Sequence, residues 1–357
     1  LHALARVQNA PYIPRVTHGV ILAPQILAVR FGSTGDILHA TPLFRAVRAR
    51  YPGVRLAVLT RRRFAPLLAD NPRVDEVIGM APGDSLVGIA KRIRAAGYNH
   101  LLDLDGSPRA RLLRVLAPGR WTAAPQYVAA RNRLIRTKEN RYPEALPLAE
   151  RYFDAAHALG VEPDGGGTEL FVNPDADAQV VEWMAHAGVG QERPFVAFAP
   201  GSSQPTKRWP LEHWITLVRR VAGTGADPIL VGGPEDTALA AEVAARSTTR
   251  AVNAAGALSL QGTAALLKRA AALVSNQTAA MHMGAALGTP LVALIGPTVR
   301  AFGTYPYNPR RTIVLERSLP CRPCSADGGP ACPLGHHLCL EEIRPDTVFT
   351  ALCRTLA

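Results

Sequence analysis

The sequence predicts an α/β protein built as two doubly wound domains in tandem. Three observations carry this expectation. A unit of short apolar run, glycine-containing turn and amphipathic stretch begins at Ile26 and repeats; the rhythm breaks from residue 117; and it restarts at Phe195. Such units build parallel sheets covered by helices on both faces, and 357 residues with 48% apolar content can bury a core in each half.

The first 25 residues stand outside the rhythm as an amino-terminal extension, and they lack the cationic start, apolar middle and small-residue end of a secretory signal. The first unit runs from a strand over 26–31 through the loop Gly32-Ser33-Thr34-Gly35-Asp36 into a helix reaching Arg50. Strands over 55–60, 74–78 and 100–104 alternate with helices over 64–69 and 85–96. Residues 117–150 interrupt the pattern with proline, tyrosine and the basic residues Arg131, Arg133, Arg136, Lys138 and Arg141, and a helix over 150–159 follows. Residues 160–173, with Gly165-Gly166-Gly167, read as a linker, so one domain is expected over 26–165 and a second over 166–345. In the second, strands over 195–199, 228–231, 272–275 and 291–295 alternate with helices over 211–222, 235–247, 259–270 and 278–287. A helix over 346–357 closes the chain. Ligands of doubly wound domains bind outside the carboxyl ends of the strands, so two such domains imply a cleft between facing turns.

Forty Lys and Arg against 28 Asp and Glu leave a formal charge of +12, which suits an anionic partner: nucleic acid, an acidic lipid surface or a phosphorylated substrate. The charge is dispersed and no nucleic-acid recognition module is evident, which disfavours the first. No apolar run of about eighteen residues offers a membrane span. A cytoplasmic protein that visits an anionic membrane surface fits this balance.

The turns at the strand ends hold the candidate chemistry. Asp36 opens a helix after a glycine-bearing turn, where an aspartate can accept a proton or hydrogen bond from a substrate hydroxyl; it is equally a carboxylate favoured by the helix dipole. After the strand over 195–199 comes Pro200-Gly201-Ser202-Ser203, then Lys207-Arg208-Trp209-Pro210. A lysine there can offset charge on a departing diphosphate without a metal, and an isolated loop lysine can equally be a solvated one. Glu235, in Gly232-Gly233-Pro234-Glu235-Asp236, can accept from sugar hydroxyls. Asn276-Gln277-Thr278-Ala279-Ala280 precedes a helix whose free amides suit a phosphate, with the Thr278 hydroxyl as a further donor; His282 lies one turn in.

Four of the five cysteines cluster as Cys321, Cys324, Cys332 and Cys339, with His336 and His337 nearby. In a cytosolic chain four thiolates at these spacings can complete a tetrahedral zinc or iron site, structural rather than catalytic because four protein ligands leave no open position; reduced, unligated thiols are the plainer reading.

In their order and spacing, RFGSTGDILHATPLFRAVRARYP, APGSSQPTKRWPLEHW, VGGPED and SNQTAAMHMGAALGTPLVALIGPT resemble glycosyltransferase family 9, the ADP-heptose:lipopolysaccharide heptosyltransferases. The cysteine segment is similar to the tail of many members, second-heptose transferases especially. The resemblance spans residues 26–352 and implies a GT-B fold, an amino-terminal acceptor domain, a carboxyl-terminal nucleotide-sugar domain, and transfer with inversion, with no cofactor for catalysis. It implies Asp36 as catalytic base with Gly35 beside the acceptor, and Lys207 on the phosphates. Gly201, Ser202, Glu235, Asn276, Gln277, Thr278, Ala279, Ala280 and His282 fall in the donor site. Arg61, Arg62 and Arg63 follow the second strand, where a phosphate-rich lipid-linked saccharide would approach from the inner face of the inner membrane; they equally form a solvated basic face. The family's usual Asn-Asp-Ser-Gly turn reads Asn276-Gln277-Thr278-Ala279 here, replacing a carboxylate by an amide and a glycine by alanine. That departure admits another nucleotide sugar or acceptor, or a non-catalytic nucleotide-sugar-binding scaffold, as alternatives.

Overall fold

The computed structural model describes residues 16–17, 20–21, 23–144, 146–189, 193–308 and 311–356. Most of the expected extension over 1–25 lies outside the described residues; within it β1 (Val16–Thr17) pairs antiparallel with β2 (Val20–Ile21).

Five strands form the first sheet: β3 (Gln25–Val29), β4 (Arg55–Arg61), β5 (Glu76–Met80), β6 (His100–Asp103) and β7 (Trp121–Ala123). All pairings are parallel, in the order β5-β4-β3-β6-β7. Alternate residues of β3 and β4 enter different cores, Leu27, Val29, Ala57 and Leu59 on one face and Ile26, Ala28, Leu56 and Val58 on the other. Burial on both sides is why these strands read as unbroken apolar runs. The covering helices are α1 (Thr34–His39), α2 (Thr41–Arg50), α3 (Leu86–Ala96), α4 (Pro108–Leu116), α5 (Val128–Thr137) and α6 (Leu148–Arg151).

The single helix expected up to Arg50 is two, broken at Ala40. Pro42 has no N–H to give the Leu38 carbonyl four residues back, and the Thr41 hydroxyl takes that acceptor instead at 2.7 Å. Proline also reshapes the helix expected over 64–69, which is a 3₁₀ stretch, Arg62–Leu67, containing Pro66. The helix expected over 150–159 is α6 followed by a 3₁₀ stretch, Tyr152–Leu159.

The second sheet holds six parallel strands, β8 (Phe195–Ala199), β9 (Asp227–Leu230), β10 (Val252–Asn253), β11 (Ala272–Asn276), β12 (Leu291–Ile295) and β13 (Thr312–Glu316), in the order β10-β9-β8-β11-β12-β13. Around it lie α7 (Pro174–Ala187), α8 (Leu211–Ala222), α9 (Thr237–Ser247), α10 (Leu260–Arg269), α11 (Ala279–Leu287), α12 (Leu338–Glu341) and α13 (Pro345–Leu356). The closing helix α13 is part of this lobe: Val348, Ala351 and Leu352 share a core with Trp214 and Val218 of α8.

In each sheet the chain winds outward from its first strand and then returns to that strand's other side, which puts a switch point between β3 and β6 and another between β8 and β11. The lobes meet with α1 packed on α11, and one apolar core runs through both, from Ile37 and Leu38 to Met281 and Ala285. The expected linker is pinned rather than loose. Arg45 of α2 holds Asp164 through Nε at 2.6 Å and Glu169 at 3.2 Å, and the Glu169 N–H donates to Thr41 Oγ1 at 2.9 Å.

Candidate functional site

At the first switch point the chain leaves β3 and turns into α1. Ser33 caps the helix and Asp36 completes the capping box, so the helix-cap reading of Asp36 is realised. The cap does not exhaust the carboxylate. Arg30 Nη2 at 2.8 Å, the Ser33 N–H at 2.9 Å and the Ser33 hydroxyl at 3.0 Å all donate to Oδ2. Among the described residues no hydrogen bond reaches Oδ1, which is left to accept a proton. Burial is the largest single influence on this group and pushes its pKa up, but the Arg30 charge, the Ser33 N–H, the Arg30 hydrogen bond and His39 together outweigh it. The carboxyl therefore lies below its ordinary value and is ionised near neutrality.

Arg30 had no role assigned from the sequence. Its side chain is 11% exposed, and its guanidinium lies over the Tyr152 ring and donates from Nη1 to the Leu104 carbonyl at 2.9 Å. Asp105, beyond the end of β6, accepts the Phe31 N–H at 2.8 Å and lies 3.7 Å from Arg30 Nη1. The two turns of the switch point are thus bolted together through Arg30 and Asp105, and Asp36 is held at their edge.

At the second switch point Asn276, fully buried, accepts the Trp209 N–H at 3.1 Å and donates to the Pro200 carbonyl at 2.7 Å and that of Gly201 at 3.3 Å. Its side chain braces the two loops and faces protein, not an open cleft. Gln277 is similar: its Oε1 accepts from Thr298 at 2.7 Å and its Nε2 donates to Thr304 at 3.2 Å. An amide can do both where a carboxylate could only accept. Thr278 is the N-cap of α11 in extended backbone, without a side-chain cap bond, so the first amides of α11 are left to a ligand or water. Ala279 opens α11 and is not among the non-glycine residues with positive φ, so alanine there is unstrained.

Lys207 ends the 3₁₀ turn Pro205–Lys207 and is 5% exposed, with Nζ 2.6 Å from Asp327. Ser202 Oγ is buried without a hydrogen-bond partner, while its carbonyl accepts from Arg208. Glu235 is exposed. It is Asp236 that leans into the turn, so close that a Cβ on Gly201 would lie 2.0 Å from Asp236 Oδ1. Burial raises the Asp236 pKa, against the Gly233 N–H. Sequence reasoning passed over Asp236 because first-turn acids are common.

His282 joins the two turns. A Cβ on Gly35 would lie 2.5 Å from the His282 ring, so glycine is what lets α1 approach α11. His39 stands edge-on to the same ring, centroids 5.0 Å apart. Burial lowers the His282 pKa to about 4, Asp36 opposing it and Lys207 reinforcing it, and burial with His282 lowers that of His39 to about 3. Both imidazoles are neutral at pH 7, and His282 lies within electrostatic reach of Asp36, Lys207 and Asp327.

Arg61, Arg62 and Arg63 are exposed at the end of β4, Arg63 lying over the Phe64 ring, and none of them has a carboxylate within ion-pair distance among the described residues. Cys324, Cys332, Cys339, Thr206, Pro297 and His337 line one hollow beneath the Lys207 turn, and the cysteines form no disulfide. Burial, with neighbouring thiols, raises the pKa of Cys324 and lifts that of Cys339 to about 11. Cys332 goes the other way: burial would raise it, but the backbone N–H groups of residues 334–337 clustered near it outweigh burial and lower it. Among the described residues no three His, Cys, Asp or Glu side chains converge closely enough to hold a metal ion.

Two parallel sheets whose switch points face each other across a buried histidine make up the GT-B fold. A structure of a family 9 glycosyltransferase from Veillonella parvula shares this fold with a TM-score of 0.77 at 21% identity, covering 93% of this chain and 97% of that one. The ADP-heptose lps heptosyltransferase II of E. coli superimposes with a TM-score of 0.71 at 25% identity, over 93% and 98% of the two chains. Lipopolysaccharide heptosyltransferase 2 of Escherichia coli K12 is 27% identical over 351 residues, 92% of this chain and 97% of that protein. Residues 87–332 match the model of glycosyltransferase family 9 (heptosyltransferase), and the chain belongs to that family. It is a glycosyltransferase enzyme.

Proposed function

We propose that this enzyme moves a heptose from ADP-heptose to a lipopolysaccharide inner-core acceptor, with inversion at the anomeric carbon. The observation that carries this reading is the Asp36 carboxylate, ionised, tied down by three donors on one oxygen and free on the other, at the lobe interface beside His282. Asp36 Oδ1 takes the proton of the acceptor hydroxyl as that oxygen attacks the face opposite the diphosphate. Lys207 and the first amides of α11 stabilise the negative charge gathering on the departing ADP. The donor and acceptor are taken from the names of the E. coli relatives, which match nearly end to end. Arg61, Arg62 and Arg63 would meet the phosphates of the acceptor, and a cytoplasmic enzyme working against the inner membrane surface fits the +12 charge; no helix among the described residues is long and apolar enough to cross a membrane.

Calorimetric titration with ADP-heptose, ADP-glucose, UDP-sugars and GDP-sugars tests this, followed by nucleotide release with a deacylated lipid acceptor. The expected result is selective ADP-heptose binding and acceptor-dependent ADP release. Selective binding of another donor reassigns the substrate, donor binding without acceptor-dependent nucleotide release favours the non-catalytic nucleotide-sugar-binding scaffold, and binding of none overturns the reading.

A structural zinc or iron ion at Cys321, Cys324, Cys332 and Cys339 is a subsidiary proposal. Its support is the chemistry of the donors: three of the four thiols, those of Cys324, Cys332 and Cys339, line one hollow with His337. Ligation requires the four sulfurs to draw closer than they stand. Metal analysis of protein purified without chelator is expected to find close to one ion per chain, lost in Cys324→Ser and Cys332→Ser with a fall in Tm; metal-free protein of unchanged Tm would rule the site out.

A further inference from the structure

We propose that Asp327 is an internal counter-anion that competes with the donor's diphosphate for Lys207 and so sets nucleotide affinity. This rests on the reading of Lys207 as a diphosphate ligand. The Lys207 side chain is 6% exposed and that of Asp327 is 76% exposed, and this asymmetry decides what the pair can do. A buried ammonium without a partner is costly, whereas an exposed carboxylate returns to water cheaply. With the cleft empty, Asp327 supplies what a phosphate oxygen would supply with it filled: one anionic oxygen at hydrogen-bond distance from Nζ. Among the described residues Asp327 is the only carboxylate within ion-pair distance of Lys207.

The segment carrying Asp327 is built against the lysine turn. Thr206 donates to the Gly329 carbonyl through its N–H at 3.2 Å and its hydroxyl at 3.0 Å, and the Gly329 N–H lies 2.8 Å from Thr206 Oγ1. The His337 ring bonds the Thr206 carbonyl at 2.9 Å. Gly328 has a φ of +84°, and a Cβ there would lie 2.8 Å from Gln204 Cβ and 3.0 Å from Lys207 Cγ. Glycine is what allows the segment to lie on the lysine stem. Upstream, Lys138, the residue that ends α5 in the other lobe, donates to the Pro323 carbonyl at 2.7 Å. Anchored on both flanks, the segment keeps its place while the Asp327 side chain alone rotates between Lys207 and solvent. A diphosphate must therefore exchange one anion for another at Nζ, and Asp327 recaptures the lysine as the nucleotide leaves.

Calorimetric titration of the full chain with ADP, with UDP and GDP in parallel, tests this on wild type, Asp327→Asn, Lys207→Met and the double variant. Asp327→Asn is expected to tighten ADP binding roughly fivefold, the upper range for a partly exposed pair. Lys207→Met is expected to weaken binding, and Asp327→Asn to add nothing in its background. If Lys207→Met weakens ADP binding but Asp327→Asn leaves it unchanged or weaker, the competition is overturned and the reading of Lys207 stands. Tightening that persists without Lys207 also overturns it, as a general charge effect. If Lys207→Met changes nothing, or no nucleotide binds, the reading of Lys207 fails and takes this inference with it.

Discussion

Asp36→Asn is expected to lower kcat by about a hundredfold or more, the usual scale for losing a general base, with nucleotide affinity nearly unchanged. Asparagine has the shape of aspartate, and its carbonyl can still accept from the Ser33 N–H that now lies 2.9 Å from Oδ2. What it cannot do is take a proton. The diphosphate elements, Lys207 and the start of α11, belong to the other lobe, so ADP titration of the variant separates lost chemistry from lost binding. A variant that turned over at near the wild-type rate would leave Asp36 as a helix cap only. A variant that lost ADP affinity as well would mean that the capping box holds the lobes together more than it serves the reaction.

The strands were legible because burial on both faces leaves unbroken apolar runs, as over residues 26–29 and in Leu291–Ile295. The short edge strands β7, β10 and β13 escaped, since they are only partly buried and their sequences carry no alternation strong enough to stand out. The break at Ala40 was in principle readable from Pro42, whose missing N–H is a local fact; its compensation by Thr41 is visible only in three dimensions. Residues 117–150 read as irregular, yet α5 lies within them, dense in arginines because only Leu134 of that helix is buried.

Within the candidate site, residues acting through their own local turn were legible: Asp36, Lys207 and Thr278 stand at strand ends, where a doubly wound sheet puts ligands. Residues acting through distant partners were not. Arg30 finds the Leu104 carbonyl and Asp105 more than seventy residues on, and Asp327 finds Lys207 from 120 residues away. Gln277 shows the converse. Its departure from the family's aspartate was plain in the sequence, but the reason an amide suits the place, a donor and an acceptor between Thr304 and Thr298, needed both threonines in view.

Arg30→Met is expected to move the acidic limb of the kcat/KM profile to higher pH and to lower kcat/KM by about tenfold or more at the pH values the limb then crosses, since the ratio of ionised to protonated carboxyl falls tenfold for each pH unit the limb moves. In the wild type the Asp36 pKa is lowered because Arg30, the Ser33 N–H and His39 together outweigh burial. Without the guanidinium, burial is opposed only by the Ser33 N–H and, more weakly, by His39, and the base begins to protonate in the working range. The sign for stability follows from the same change in pKa. A carboxyl whose folded pKa lies below its unfolded value contributes stability above the unfolded pKa, and that contribution is lost as pH falls through the folded value. Removing Arg30 abolishes it and leaves a largely enclosed carboxylate without its charge partner, a loss on the order of 3 kcal/mol at neutral pH. The gap from wild type should narrow as the carboxyl protonates in acid. Denaturant melts at about pH 4 and pH 7, run beside the rate profile, test both halves. Arg30→Lys discriminates charge from geometry: it keeps the cation but loses the fork that reaches Asp36 and the Leu104 carbonyl at once, so it should restore part of the pKa lowering and less of the rate. An unshifted acidic limb in Arg30→Met would mean that the backbone cap alone keeps Asp36 ionised, and that Arg30 serves only to fasten the end of β3 to the turn after β6.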